Sequence, residues 1–190
     1  MTRTFIALEL DTAQQNFLGN IIRQGKLHLP DLHWVDPTGI HLTLAFLGEL
    51  NDEEVVKAIA AAQYAATSVN PFAYRLSGLG TFGQPRQPRV LWMGVSEASG
   101  SLEIVYQALN LALEQRNFAT DKRPFSPHLT LARIKSYLNP TQIHALQQLL
   151  SHYQFASPTY KVTHLSVMKS ELARGGARYT CLQACAFGKE

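Results

Sequence analysis

Cysteine is scarce in this chain, with only Cys181 and Cys185 among 190 residues. Two thiols at that spacing form neither a C-x-x-C redox pattern nor a zinc site, and they cannot staple a small secreted fold. They read as two small residues of a reduced protein, sharing a face if they lie on a strand. Charge is also low, at 16% Asp, Glu, Lys and Arg. No stretch approaches the roughly 20 consecutive apolar residues of a membrane-spanning helix. The start, Met1-Thr2-Arg3-Thr4-Phe5, has no signal-peptide pattern and enters an apolar strand at once, so a soluble cytoplasmic protein is expected. A glycine-rich phosphate loop is missing too. The first strand is followed by Leu10-Asp11-Thr12, which argues against a doubly wound nucleotide-binding sheet.

The chain has a 46% hydrophobic content, enough at this length to bury a core. It is either one large domain or two small lobes. The net charge of +3 is unevenly spread: residues 1–70 hold four Lys/Arg against eight Asp/Glu, and residues 71–190 hold thirteen against six. A basic second half suits a polyanionic partner, although a solvated, mildly basic surface would look the same.

One tetrapeptide occurs twice, as His41-Leu42-Thr43-Leu44 and His128-Leu129-Thr130-Leu131. Each copy lies in an apolar run that reads as a strand. Alternation along a strand puts histidine and threonine on one face and the leucines on the other. Two such strands brought together hold two imidazoles and two hydroxyls.

The surrounding pattern repeats as well. Thr4–Leu10 reads as a strand. Asp11 with Gln14 signals a helix start, with an apolar stripe at Phe17, Leu18, Ile21 and Ile22 that ends near Gly25. A loop follows, then the motif strand Ile40–Leu47. Asn51 with Glu54 starts a second helix that fades before Pro71, and Phe72–Leu79 is a strand. Gly78–Gly83 and the Pro/Arg-rich Gln84–Pro88 read as loop. Next come a strand at Arg89–Val95, a helix carried by Leu102, Val105, Leu109 and Leu113, a loop at Phe118–Pro127 and the motif strand His128–Ile134. Asn139-Pro140 with Gln142 starts a fourth helix. Thr159–Met168 and Tyr179–Ala186 close the chain as strands about a Gly175-Gly176 turn. Phe5 lies 36 residues before His41 and Leu91 lies 37 before His128; Pro71 and Pro158 each lie 30 after their histidine. This is an internal duplication, with units at about residues 4–79 and 89–168. The expected architecture is α+β. A single domain spans 1–190 and is built as a bilobal duplicated fold, with two antiparallel sheets lining a central cleft, helices outside and strands free to exchange between lobes.

Paired histidines suit a phosphate ester. An imidazole titrates near pH 6.5, so one can accept a proton while the other donates one. Threonine hydroxyls can bind the phosphate oxygens. No metal is required. A single His-x-Thr is a common accident and threonine favours strands anyway; the repetition at equivalent places separates these copies from that background. Zinc needs three or four ligands, and His28, His33, His144, His152 and His164 read as ordinary surface or core histidines. From the residues alone, the two histidines are interchangeable as acid and base.

HLTLAFLGEL at His41–Leu50 and PHLTLAR at Pro127–Arg133 resemble the two-histidine (2H) phosphoesterase superfamily, and within it the bacterial RNA 2′,3′-cyclic phosphodiesterase family, also called 2′-5′ RNA ligase. FIALEL, Gly78–Phe82, RVLWMGV and the Ser170-Glu171-Leu172, Gly176 and Tyr179 tail are similar to that family too. The resemblance implies opening of RNA 2′,3′-cyclic phosphate ends to 2′-phosphomonoesters without a cofactor. It assigns His41 as proton donor and His128 as proton acceptor, with Thr43 and Thr130 holding the phosphate and Arg133 near it. Arg133 is five residues past His128, so an ideal strand would turn it away and a bulge is needed. Its counterpart in the first motif is Phe46. Trp34, Phe82 and Phe125 are candidates to stack on a base, with core packing as the competing role. Two other functions fit the same residues: the reverse reaction, as a ligase joining tRNA halves, and an RNA-binding module without catalysis.

Overall fold

The computed structural model describes residues 1–153, 156–173 and 176–188. Its strands are β1 (Thr2–Glu9), β2 (His33–Trp34), β3 (His41–Leu50), β4 (Phe72–Gln84), β5 (Gln87–Ser96), β6 (His128–Arg133), β7 (Ala156–Val162), β8 (His164–Ala173) and β9 (Gly176–Ala186). Its helices are α1 (Thr12–His28), α2 (Asp52–Ala66), α3 (Ser101–Glu114) and α4 (Pro140–His152), with a 3-10 turn at Pro37–Gly39. The expected Gly175-Gly176 turn lies partly outside the described residues.

Three helix starts form as the sequence dictates. Asp11 with Gln14, Asn51 with Glu54, and Asn139 with Gln142 each close a reciprocal capping box. Such caps contribute about 1 kcal/mol each. The helices bury their apolar stripes against one face of the sheet. Leu18, Ile21 and Ile22 of α1, Ala61, Ala62 and Ala65 of α2, Val105 and Leu109 of α3, and Leu146 of α4 share one core with Ile6, Leu8, Leu42, Leu91 and Leu129 of the strands.

Strand pairing is antiparallel throughout, in the order β7-β4-β5-β6-β3-β1-β8-β9, with β2 alongside β6. The two expected sheets meet edge to edge at one residue pair, Leu42 opposite Leu129. The order is mirrored about that seam: β6 faces β3, β5 matches β1, and β4 matches β8. β4 belongs to the first repeat unit by sequence but pairs with β5 and β7; β8 follows the second motif but pairs with β1 and β9.

Four local expectations differ from the structure. Gly78–Pro88 is not a loop; it lies mostly in β4 and β5, joined by a tight turn. Gly80 serves packing, since a Cβ there would sit 2.2 Å from the Trp92 indole, while Gly78 and Gly83 take positive φ. α1 runs past Gly25 to His28, because that glycine makes room for the Trp34 ring, 2.2 Å from a Cβ there. Thr159–Met168 breaks at Thr163 into β7 and β8, which pair with different halves of the sheet. The loop before Pro37 contains the two-residue strand β2, which places His33 beside β6, while His28 ends α1.

Candidate active site

β3 and β6 carry the motifs to the seam. Leu42 and Leu129 are fully buried, whereas His41, Thr43, His128 and Thr130 are part-buried or exposed on the opposite face. Antiparallel register about the Leu42–Leu129 pair sets His41 abreast of Thr130 and Thr43 abreast of His128. In a regular ladder the two histidines would then stand on a diagonal about 7–8 Å apart, room for a phosphate between them.

Both imidazoles are held in the same way. His41 Nδ1 is 2.9 Å from the Gly39 carbonyl oxygen, and His128 Nδ1 is 2.7 Å from that of Ser126. A carbonyl only accepts, so each Nδ1 carries the hydrogen and each Nε2 is left for chemistry. The 3-10 turn brings the Gly39 carbonyl into place. Asp36 caps that turn through Thr38, and those hydrogen bonds hold its carboxyl below the usual range.

Each ring is also walled by aromatics. Phe5 stacks on His41 at 4.5 Å, and Tyr179 meets it edge-on at 5.0 Å. Phe82 meets His128 edge-on at 4.8 Å, with Trp92 behind at 6.4 Å. Burial pushes the His41 imidazole below its ordinary value, opposed by the Gly39 carbonyl and the Glu9 carboxylate. Phe5, Trp92 and Tyr179 were not singled out as site residues from the sequence. The repeat held a signal for two of them: Phe5 and Trp92 each lie 36 residues before their histidine.

Arg133 reaches the histidine face by a bulge. Along β5, Leu91 pairs with Ala132 but Trp92 pairs with Thr130, so Leu131 is an extra residue in β6. Leu131 and Ala132 are consecutively buried, and Arg133 emerges on the side of His128. β3 bulges at the equivalent place: Ile6 pairs with Ala45 and Ala7 with Thr43, skipping Leu44. That bulge brings Phe46, 56% exposed, to the same face, where the Arg3 guanidinium lies 5.0 Å from its ring centre.

A cleft of about 860 Å³ opens beside the seam. Thr43, Phe46, Phe82, Phe125, His128 and Arg133 all line it; His41 and Thr130 lie along the seam outside that lining. Phe125 is stacked on Tyr106 at 3.9 Å in the cleft wall. Arg123, also at the cleft, is paired with Asp121, whose carboxyl that guanidinium lowers to about 2. Trp34 is elsewhere. Its indole fills the notch at Gly25 and donates to the Leu29 carbonyl, so it is a packing residue. Among the described residues, no three His, Cys, Asp or Glu side chains gather as a metal site.

A family model described as the 2′-5′ RNA ligase superfamily matches residues 19–174. The chain belongs to this superfamily. It is 31% identical to an RNA 2′,3′-cyclic phosphodiesterase of Aquifex aeolicus over 82% of this chain and 81% of that one. It is 32% identical to an RNA 2′,3′-cyclic phosphodiesterase of Geobacillus stearothermophilus over 90% of this chain, and there it spans about half (52%) of the relative's length. Its fold superposes on E. coli LigT complexed with 3′-AMP with a TM-score of 0.73, at 25% identity over 98% of both chains.

Proposed function

We infer that this protein is a phosphodiesterase that opens 2′,3′-cyclic phosphate ends of RNA to 2′-phosphomonoesters, without a metal. One observation carries the reading: two imidazoles, fixed through Nδ1 in the same way on mirrored strands, each with a threonine abreast across the seam. The relatives named RNA 2′,3′-cyclic phosphodiesterase support it. Water attacks phosphorus as His128 Nε2 takes its proton. The bond from phosphorus to the 3′ oxygen breaks, and His41 Nε2 supplies the proton for that oxygen. Thr43, Thr130 and Arg133 donate to the non-bridging oxygens, where charge builds. The acid and base roles follow the superfamily resemblance. The domain is read as two pseudo-symmetric lobes meeting at the seam, and its setting as the cytoplasm. No helix among the described residues is long and apolar enough to cross a membrane.

Turnover of a nucleoside 2′,3′-cyclic phosphate and of a short RNA with that end tests the reading, with the product identified by phosphorus NMR. A 2′-phosphomonoester is expected, at a rate unchanged by EDTA. His41→Ala and His128→Ala should each lose about 100- to 10,000-fold in rate while keeping the wild-type melting profile. A 3′-phosphate product, or loss of turnover on chelation, overturns the mechanism. Efficient joining of tRNA halves with negligible hydrolysis would mark a ligase instead.

A further inference from the structure

We propose that Glu9, paired with His41 on the neighbouring strand, is a positioning residue for this reaction: its carboxylate strengthens the hold of His41 on the proton that it passes to the leaving oxygen. The inference rests on the phosphodiesterase reading and supplies the asymmetry that the mirrored motifs lack.

The geometry is a row across three strands. Glu9 of β1 pairs with His41 of β3. On its other side, Glu9 Oε1 accepts a hydrogen bond from the fully buried Ser166 of β8 and lies 3.9 Å from His164 Nε2. Glu9 is therefore anchored beside His41 from behind. The groups around His41 are few. β1 gives Glu9 and the Phe5 ring, β9 gives Tyr179, the preceding turn gives the Gly39 carbonyl, and β6 gives Thr130 abreast. His164 lies beyond Glu9.

His128 has the opposite surroundings. Its neighbour on β5 is Gly94, which has no side chain. Gly94 cannot be enlarged cheaply, because a Cβ there would sit 2.4 Å from the Ser77 carbonyl oxygen. Ser126 supplies its carbonyl, Phe82 and Trp92 its walls, and the cleft beside it holds Arg133 and the Arg123–Asp121 pair. An anion beside an imidazole favours its cation, and of the two histidines only His41 has a carboxylate residue paired with it across its own sheet. The repeat built two equivalent histidines, and these neighbours make them unequal. The Glu9 carboxylate and the Gly39 carbonyl work against the burial of the His41 ring, which on balance holds the imidazole below its ordinary value.

The test is an NMR titration of the imidazole nitrogens in the intact protein, read residue by residue because rate profiles report the pair and not its members. In Glu9→Gln the His41 midpoint should fall by a few tenths to about one pH unit, with His128 unmoved. Glu9→Asp should restore much of the shift. Ser166→Ala, which removes the anchor hydrogen bond but keeps the charge, should leave the midpoint close to wild type. On a cyclic nucleotide, Glu9→Gln should lose about 3- to 10-fold in kcat at pH 8, with little change in KM. In the wild type, the His41 resonances should show a second inflection as Glu9 titrates, which needs no variant to fold. An unmoved His41 midpoint, equal movement of both histidines, or no second inflection overturns the proposal. Absence of turnover in the wild type would instead defeat the phosphodiesterase reading, and the titration would still decide the role of Glu9.

Discussion

Arg133 shows what one extra residue does to a strand. Counting along an ideal strand puts it on the leucine face; the extra residue Leu131 reverses that. Nothing in PHLTLAR announces a bulge, because the skipped residue is defined by a neighbouring strand. The same hidden device brings Phe46 to the cleft. Loss of a charge-assisted hydrogen bond costs about 1.5–3 kcal/mol, so Arg133→Ala should lower kcat/KM by about 10- to 150-fold, and Arg133→Lys should recover part of it. Steady-state kinetics on a cyclic nucleotide measure this. The His-x-Thr pairs were legible because their parity is local. The walls around them were not, apart from the repeat offset shared by Phe5 and Trp92. Tyr74 supplies a residue-scale test of stability. Burial pushes its phenol up to about 12 against an ordinary 10, while Gln14 donates to its oxygen. A raised folded value means that the contribution is intact below pH 10 and is lost as the pH climbs from there toward 12. Denaturant melts of the wild type should weaken across that window, and Tyr74→Phe should flatten the decline.

Elements whose signals are local formed where the sequence put them. The three capping boxes are closed by residues three apart, so neither partner depends on tertiary context. Gly25 and Gly80 misled for the converse reason. Each looks like an interruption, yet each admits an indole from elsewhere in the chain, Trp34 and Trp92. This matched pair gives a controlled experiment. Gly25→Ala and Gly80→Ala each place a Cβ only 2.2 Å from an indole and should each cost about 1–3 kcal/mol in thermal or denaturant melts. Only the second disturbs a ring that backs His128. Gly80→Ala should therefore lower kcat well beyond its stability loss, while Gly25→Ala should leave kcat of the folded fraction near wild type.

At the scale of the molecule, the order of elements was legible in the repeat, but the allocation of strands was not. The repeat predicts which elements are equivalent; it says nothing about which copy each third strand joins. β4 and β8 each sit with the other unit's strands. Charge adds a second whole-molecule prediction. The residues after 70 carry a surplus of seven positive charges, so a long RNA substrate should bind less tightly as salt rises, whereas a cyclic mononucleotide should be nearly insensitive. KM measured at several ionic strengths for both substrates checks this; parallel behaviour would mean that the basic half does not contact the RNA beyond its end.

The position of Tyr179 has a consequence in time. It edges His41 from β9, near the other end of the chain, and β8, which anchors Glu9, comes shortly before it. A growing or truncated chain that has its first motif but lacks these strands holds His41 against Phe5 alone, with no wall on its other side and no anchored carboxylate. Such a fragment would carry the histidine and Glu9 but lack the wall that Tyr179 supplies. In refolding experiments the return of turnover should trail the return of helix, because it waits for the last strands to cross.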